Sequence, residues 1–288
     1  MMEFWYTEEW TDKVRFSIKV DKQLYSKKSD FQQVDLFESQ ELGRFLTLDG
    51  LMMVNEKDEF IYHDCIVHTP LCVNPNIKNV LVIGGGDGGT VRELTRYPFI
   101  EKIDMVEIDE VVVQVSMEFL PITARKLEDS RVNLYFEDGV AWVAHSADAT
   151  YDLIIVDSTD PIGPGEGLFT TEFYQHCYRI LSQHGILVNQ NESPYFARNA
   201  HEMKRAHQKI SRIFPISKVY QAHIPTYPSG HWLFGFASKT LDPIQDAKIE
   251  EWNALRLKTK YYNTDLHIGS FMLPTYVKEM LEDATSSK

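Results

Sequence analysis

The stretch at 79–89 constrains the fold more than any other. Asn79, Val80, Leu81, Val82 and Ile83 form a near-continuous apolar run, and Gly84-Gly85-Gly86-Asp87-Gly88-Gly89 follows without a break. A run without polar alternation suits a strand buried on both faces, and a glycine cluster after it allows the tight turn that feeds a helix. Runs at 102–108, 132–136, 151–156 and 186–190 repeat the pattern, separated by helix-compatible stretches such as 110–120 and the segment after Gly139. Such alternation predicts a parallel sheet covered on both faces. Right-handed crossovers make it a doubly wound, Rossmann-like α/β domain. A helix over 197–214 precedes a closing strand pair, 217–224 and 231–237, across the turn at 225–230. Terminal helices are expected over 250–258 and 270–284.

The first 54 residues read differently. Short β-branched and aromatic runs lie at 14–20, 34–38, 45–48 and 51–54, with Asp49-Gly50 as a hairpin signal between the last two. Phe60, Ile61, Ile66, Val67 and Leu71 then follow the spacing of an amphipathic helix over 56–73, ending near the prolines at 70 and 75. The expected division is a small N-terminal β-strand domain, 1–54, and a Rossmann-like catalytic domain, 55–288.

Ligands of an open α/β sheet bind beyond the carboxyl ends of its strands, so the residues that follow each strand are the candidates. After the first, Gly84 and Gly86 open a GxGxxG pattern, and Glu107 ends the next strand 23 residues after Gly84. That is the spacing of a nucleoside fingerprint with a ribose-binding acid. Asp87 narrows it: a carboxylate in this turn repels a pyrophosphate and attracts an ammonium, so the turn suits a nucleoside with a cationic tail. Asp109 reads as a solvated acid or a helix cap. Asp138-Gly139 follows the third strand, where an acid can accept from an adenine amino group and glycine lets the base approach. Asp157 ends the fourth strand and is followed by Asp160 on a Pro/Gly-rich loop that includes Pro161, Gly163, Pro164, Gly165 and Gly167. Two carboxylates three residues apart can hold and deprotonate an amine, and the loop has the composition of a lid. Tyr62 and His63 on the linking helix, and Tyr227 in the Pro-flanked segment 224–230, are further candidates.

Charge and cysteine content agree. With 29 Lys+Arg against 42 Asp+Glu the net charge is −13, which argues against a nucleic-acid partner and suits a cationic substrate. Cys65, Cys72 and Cys177 form no CxxC pair, and no Cys/His cluster has zinc spacing, so no metal is expected and the thiols fit a reducing compartment. Glu3, Glu8 and Glu9 near the start are unlike a signal peptide, and no apolar run approaches the roughly 20 residues of a membrane span. The expectation is a cytoplasmic protein without membrane contact.

Taken together, the ordered set of motifs resembles the spermidine synthase family, the polyamine aminopropyltransferases. The motifs are Leu48-Asp49-Gly50, Asp58-Glu59-Phe60-Ile61-Tyr62-His63, the 82–89 turn, Val106-Glu107-Ile108-Asp109, Asp138-Gly139, Asp157-Ser158-Thr159-Asp160-Pro161-Ile162-Gly163-Pro164, the 224–230 segment and Tyr261-Tyr262-Asn263. The resemblance covers nearly the whole chain and implies a class I methyltransferase-like sheet. It also implies transfer of the aminopropyl group of decarboxylated S-adenosylmethionine, a co-substrate rather than a cofactor, to putrescine. Products would be spermidine and 5′-methylthioadenosine. On matching positions, Gln32 would contact the nucleoside, Glu107 the ribose, and Asp138, Gly139 and Pro164 the adenine. Asp87 would take the donor amine, Asp157 the proton, and Asp160, Tyr62 and Tyr227 the diamine. His63 would contact the donor tail or product, with Gln190 a secondary candidate. A homodimer or homotetramer is implied. The segment Asn189-Gln190-Asn191-Glu192-Ser193-Pro194 and the pair His231-Trp232 leave acceptor length open, so cadaverine, agmatine and spermidine stand beside putrescine. The rival chemistry is an S-adenosylmethionine-dependent amine N-methyltransferase on the same sheet; a nicotinamide dehydrogenase is disfavoured by Asp87, and a catalytically silent binding module by the Asp157/Asp160 pair.

Overall fold

The computed structural model describes residues 3–159 and 163–286. Six strands open the chain: β1 (Phe4–Thr11), β2 (Val14–Val20), β3 (Lys22–Lys28), β4 (Gln33–Ser39), β5 (Gly43–Leu48) and β6 (Leu51–Asn55). β1 and β2 form an antiparallel ribbon, and β3 to β6 a four-stranded antiparallel meander. Asp49 and Gly50 turn β5 into β6 with φ of 49° and 81°, the left-handed pair that a two-residue hairpin of this hand requires. β1 and β3 have no counterpart in the sequence reading. Only Tyr6 and Glu8 of β1 are buried, and no residue of β3, so neither strand shows the apolar alternation by which strands are recognised.

The linking helix α1 (Glu59–Val73) departs from expectation in a useful way. It is not amphipathic: every residue except Phe60 is buried. Its apolar side chains join Val80, Val82, Tyr97, Tyr220 and Phe234 in the main core. Its polar ones, Glu59, His63, Asp64 and His68, are buried as well and are therefore paired. Asp64 Oδ2 accepts from the backbone N–H groups of Lys260, Tyr261 and Tyr262 at 3.0, 2.8 and 3.2 Å. His68 lies between Glu93 and the hydroxyl of Tyr97.

A seven-stranded sheet follows, from β7 (Asn79–Gly84), β8 (Lys102–Val106), β9 (Val132–Tyr135), β10 (Tyr151–Asp157), β11 (Leu181–Gln190), β12 (Ile216–His223) and β13 (His231–Ser238). The order is β12-β13-β11-β10-β7-β8-β9; β7 to β11 run parallel, and β13 is antiparallel to both of its neighbours. Alternate residues serve two cores: Val80, Val82, Leu153 and Ile155 face one, Leu81, Ile83, Ile154 and Val156 the other. That double burial explains the unbroken apolar runs. The intervening helices are α2 (Gly89–Leu94), α3 (Glu110–Phe119), α4 (Pro121–Ala124), α5 (Gly139–His145), α6 (Thr171–Ile180) and α7 (Ala197–Ile213). Val112, Val115 and Leu120 pack against Val34, Leu36, Leu46, Leu48 and Val54, seating the N-terminal meander on α3.

The chain closes with α8 (Ile249–Ala254), α9 (Thr264–Ser270) and α10 (Thr275–Ser286). The helix expected over 270–284 begins only at Thr275, after Pro274, whose ring disfavours helical geometry in the preceding residue, and α9 ahead of it has no counterpart in the sequence reading. Cys65, Cys72 and Cys177 are all buried free thiols. Among the described residues no helix is long and apolar enough to cross a membrane.

Candidate active site

Strand order reverses between β7 and β10, the central pair. Their carboxyl ends are level, with Asp157 opposite Gly84. At this switch point a cavity opens, lined by Gly84, Gly86, Asp87, Glu107, Asp138, Gly139 and Asp157 from the sheet edge. Tyr62 and His63 of α1, Tyr227 and Gln190 line it too, and Gln32 reaches it from the loop that opens β4. The residues singled out in the sequence therefore share one cavity, apart from the 160–164 loop. Asp160, Pro161 and Ile162 lie outside the described residues, as does the side chain of Pro164, and the lid expectation falls there with them.

Gly84 shows why glycine opens the turn. Its φ is +81°, and a Cβ there would lie 2.2 Å from the carbonyl oxygen of Asp157. The close approach lets Gly85 N–H donate to that same oxygen at 2.8 Å, which fixes the end of β10 against the turn.

Asp157 is held at both oxygens. The Tyr62 hydroxyl donates to Oδ1 at 2.7 Å and the Thr90 hydroxyl to Oδ2 at 2.6 Å. Burial pushes its pKa up and the nearby Asp87 carboxylate adds to the rise, while His63 and the two hydroxyls oppose it. Burial also raises the Tyr62 phenol well above its ordinary range, so it stays a donor. An ionised carboxylate poised this way is a competent proton acceptor.

Asp87 Oδ1 accepts from Gly89 N–H at 2.8 Å and faces His63 Nε2 at 3.3 Å. The other ring nitrogen of His63 meets Glu59 Oε2 at 2.7 Å. Burial disfavours the imidazolium, yet Asp87 and Glu59 together lift its pKa to about 10. Both nitrogens are thus engaged by carboxylates, so a contact of His63 with a ligand would use the edge of the ring.

On the other side of the cavity, Glu107 Oε1 accepts from Asp109 N–H at 3.0 Å. Burial raises the pKa of Glu107 to about 7, helped by the charge of Asp109. Asp109 itself is the N-cap of α3, as one of its two sequence readings had it, but it is buried rather than solvated. Its Oδ2 accepts from Gln32 Nε2 at 3.0 Å and from the Ser29 hydroxyl at 2.6 Å, which pins the N-terminal meander beside Glu107. Asp138 caps α5 through Val140 N–H at 2.8 Å.

Tyr227 is fixed from two directions. Its hydroxyl donates to the Met53 carbonyl at 2.6 Å, and the preceding Thr226 donates to Asp58 Oδ2 from both its backbone N–H and its hydroxyl. Asp58 thereby ties the start of α1 to the 224–230 loop. The Tyr227 ring lies edge-on to Trp232, 4.8 Å between centroids, so the His231-Trp232 pair left open in the sequence places the tryptophan in the cavity wall.

Four residues escaped the sequence reading: Glu8, Glu59, Thr90 and Arg92. Glu8 lines the cavity from β1, accepting from the Tyr6 hydroxyl and from Met52 N–H, both at 2.9 Å. Thr90 opens α2, directly after the glycine turn. Glu59 stands four residues before His63, a spacing that puts both on one helical face and was the available clue.

Comparison with known proteins agrees with this architecture. Residues 59–248 match the family model of the spermine/spermidine synthase domain, and residues 4–56 that of the spermidine synthase tetramerisation domain. The chain is 72% identical over 282 residues to a polyamine aminopropyltransferase of Clostridium perfringens (strain SM101 / Type A), covering 98% of this chain and 99% of that one. It is 69% identical to the polyamine aminopropyltransferase of Clostridioides difficile (strain 630), covering 98% and 100%. Among solved structures, a spermidine synthase in complex with the transition-state analogue AdoDATO superposes with a TM-score of 0.94 at 40% identity, covering 97% of this chain and 95% of that one. Spermidine synthase from Thermotoga maritima gives 0.93 at 40%, covering 97% and 94%. With the sheet, the N-terminal strands and nearly the full length in agreement, the chain belongs to the spermidine synthase family and is a polyamine aminopropyltransferase.

Proposed function

We propose that this enzyme transfers the aminopropyl group of decarboxylated S-adenosylmethionine to putrescine, with Asp157 as proton acceptor. The observation that carries the reading is the pairing of two cavity carboxylates in different settings. Asp157 is oriented by Tyr62 and Thr90, whereas Asp87 is paired with a cationic His63. One is suited to take a proton, the other to seat an ammonium.

In this reading Glu107 accepts from the ribose hydroxyls, and Asp138 and Gly139 border the adenine, with Gln32 closing the nucleoside side. Asp87 holds the amine of the donor's aminopropyl arm. The acceptor lies along Tyr62 and Tyr227, and Glu8, a further buried carboxylate on the same cavity, supports a diamine over a monoamine. The attacking nitrogen forms its bond to the carbon next to the sulfonium. The C–S pair leaves on sulfur, giving neutral 5′-methylthioadenosine, and the proton shed by the new secondary amine goes to Asp157. Alignment and a neutral nucleophile supply the rate, since the donor brings its own leaving group. The match of residues 4–56 to a tetramerisation domain, with Phe4 and Trp5 exposed on β1, supports a homotetramer joined through the N-terminal strands.

The test is product analysis by mass spectrometry with both decarboxylated and intact S-adenosylmethionine and a mixture of putrescine, cadaverine, agmatine and spermidine. Methylthioadenosine with spermidine as main products is the expected result. A different aminopropylated amine would replace putrescine as acceptor, and S-adenosylhomocysteine with a methylated amine would overturn the donor.

A further inference from the structure

Behind the cavity wall, α1 and α2 hold an unbroken chain of alternating charge. Arg92 donates from Nη1 and Nη2 to the two oxygens of Glu59, each at 2.9 Å. Glu59 Oε2 also meets His63 Nδ1 at 2.7 Å, and His63 Nε2 faces Asp87 at 3.3 Å. The side chains of Glu59 and His63 are only 2% and 3% exposed. The imidazole packs directly on the start of α2: a Cβ on Gly89 would lie 2.1 Å from His63 Cε1.

We infer that Arg92 and Glu59 are positioning residues of this active site: they hold His63 as a permanent imidazolium, and that cation keeps Asp157 ionised despite the neighbouring Asp87 carboxylate. The inference rests on the roles proposed above for those two aspartates.

Two carboxylates enclosed together, without a cation, share one proton rather than carry two charges. The groups facing His63 are Glu59 on its own helix, Asp87 in the glycine turn, Asp157 at the end of β10, the Tyr62 phenol, and Arg92 behind Glu59 on α2. Burial raises Asp157, Asp87 raises it further, and His63 is the charged group that lowers it. Burial would also raise Glu59, yet His63 and Arg92 hold it at about 2. The fork of Arg92 engages both Glu59 oxygens and so fixes the carboxylate plane that aims at Nδ1. The order from α2 to the cavity is plus, minus, plus, minus, with the final minus left for the substrate ammonium.

The test is imidazole NMR of the histidine-labelled full-length enzyme, with His63 assigned through His63→Gln, alongside kcat/KM against pH. In the wild type the His63 resonance should stay that of an imidazolium from pH 6 to 9. In Glu59→Gln it should titrate inside that window, and the acidic limb of kcat/KM should move to higher pH, lowering activity at pH 7 by about tenfold per unit of displacement. Arg92→Gln should move both readouts the same way by less. A purely structural role would lower thermal stability without moving either. An ordinary titration near neutrality in the wild type overturns the inference, and that measurement does not depend on Glu59→Gln or Arg92→Gln folding. So does a Glu59→Gln enzyme whose His63 titrates while the acidic limb stays in place. Failure of the underlying reading shows instead in the wild-type product assay, independently of the NMR.

Discussion

The phenol of Tyr62 reaches from α1 to the last residue of β10, donating to Asp157 Oδ1 at 2.7 Å, while Thr90 closes Oδ2 at 2.6 Å. A carboxylate clasped at both oxygens has one orientation. Asp157→Asn keeps the shape and removes the proposed proton acceptor. Single-turnover rates should fall by about 10²–10⁴-fold. Calorimetric binding of 5′-methylthioadenosine should change by no more than about threefold, because the proposed nucleoside contacts lie on other strands. Collapse of nucleoside binding with surviving turnover of bound substrate would remove Asp157 from this role.

Glu107 gives the site a pH dependence of its own. Its folded-state pKa of about 7 lies above the ordinary carboxylate value, so ionising it costs stability that is lost as pH rises through 7. Glu107→Gln should stabilise the ligand-free protein at pH 8 by on the order of 2 kcal/mol, read from urea midpoints. If the ribose hydroxyls donate to the ionised form, as proposed, methylthioadenosine affinity should plateau above pH 7 and fall by up to about tenfold per unit below it. In Glu107→Gln that slope should vanish. A wild-type affinity flat from pH 5 to 8 would contradict the assignment.

Asp87 should discriminate between donors. Intact S-adenosylmethionine carries a carboxylate where the decarboxylated form carries hydrogen, and Asp87 would repel it. Asp87→Asn should therefore narrow the ratio of dissociation constants for the two by at least about fivefold, mostly by admitting the intact form, since two like charges ~4 Å apart repel by about 1 kcal/mol in water and about 4 kcal/mol at protein-surface dielectric. An unchanged ratio would mean the selectivity resides elsewhere.

Two glycines of similar φ separate turn strain from steric contact. Gly84→Ala would drive a Cβ into the Asp157 carbonyl, whereas a Cβ on Gly50, at φ +81°, meets nothing within 4 Å. Gly50→Ala should cost about 1 kcal/mol with activity intact. Gly84→Ala should cost about 3 kcal/mol or more and lose turnover, because the end of β10 must shift. Equal costs would show that φ alone governs both positions.

The cavity-facing acids were legible in the sequence because strand ends are marked by where apolar runs stop, and chemistry collects there. Asp87, Glu107, Asp138 and Asp157 all follow such stops and all line the cavity. Arg92 was not legible, and Glu59 only through its four-residue spacing from His63. A Glu or Arg on a helix reads as a solvated residue; here the enclosure of α1 buries Glu59, and Arg92 reaches it from α2. The same enclosure hid the absence of amphipathicity, since apolar positions at helical spacing look alike whether the remaining face is wet or paired. Glu8 was missed for a kindred reason: β1 alternates, but with a glutamate and a tyrosine on its buried side. Pro274 marks the true start of α10, which the apolar spacing alone extends back to 270.

Asp64 sits one residue past His63 on α1, and its Oδ2 collects three backbone N–H groups from residues 260–262. The helix that aims Tyr62 and His63 into the cavity is therefore moored, on its opposite side, to a stretch of chain near the carboxyl terminus. Cleavage or truncation ahead of residue 260 would release that mooring without touching a single group in the cavity. Such a protein would present as an enzyme with a misaimed acid pair and a serviceable nucleoside wall, a chemical defect whose origin lies in the last tenth of the sequence.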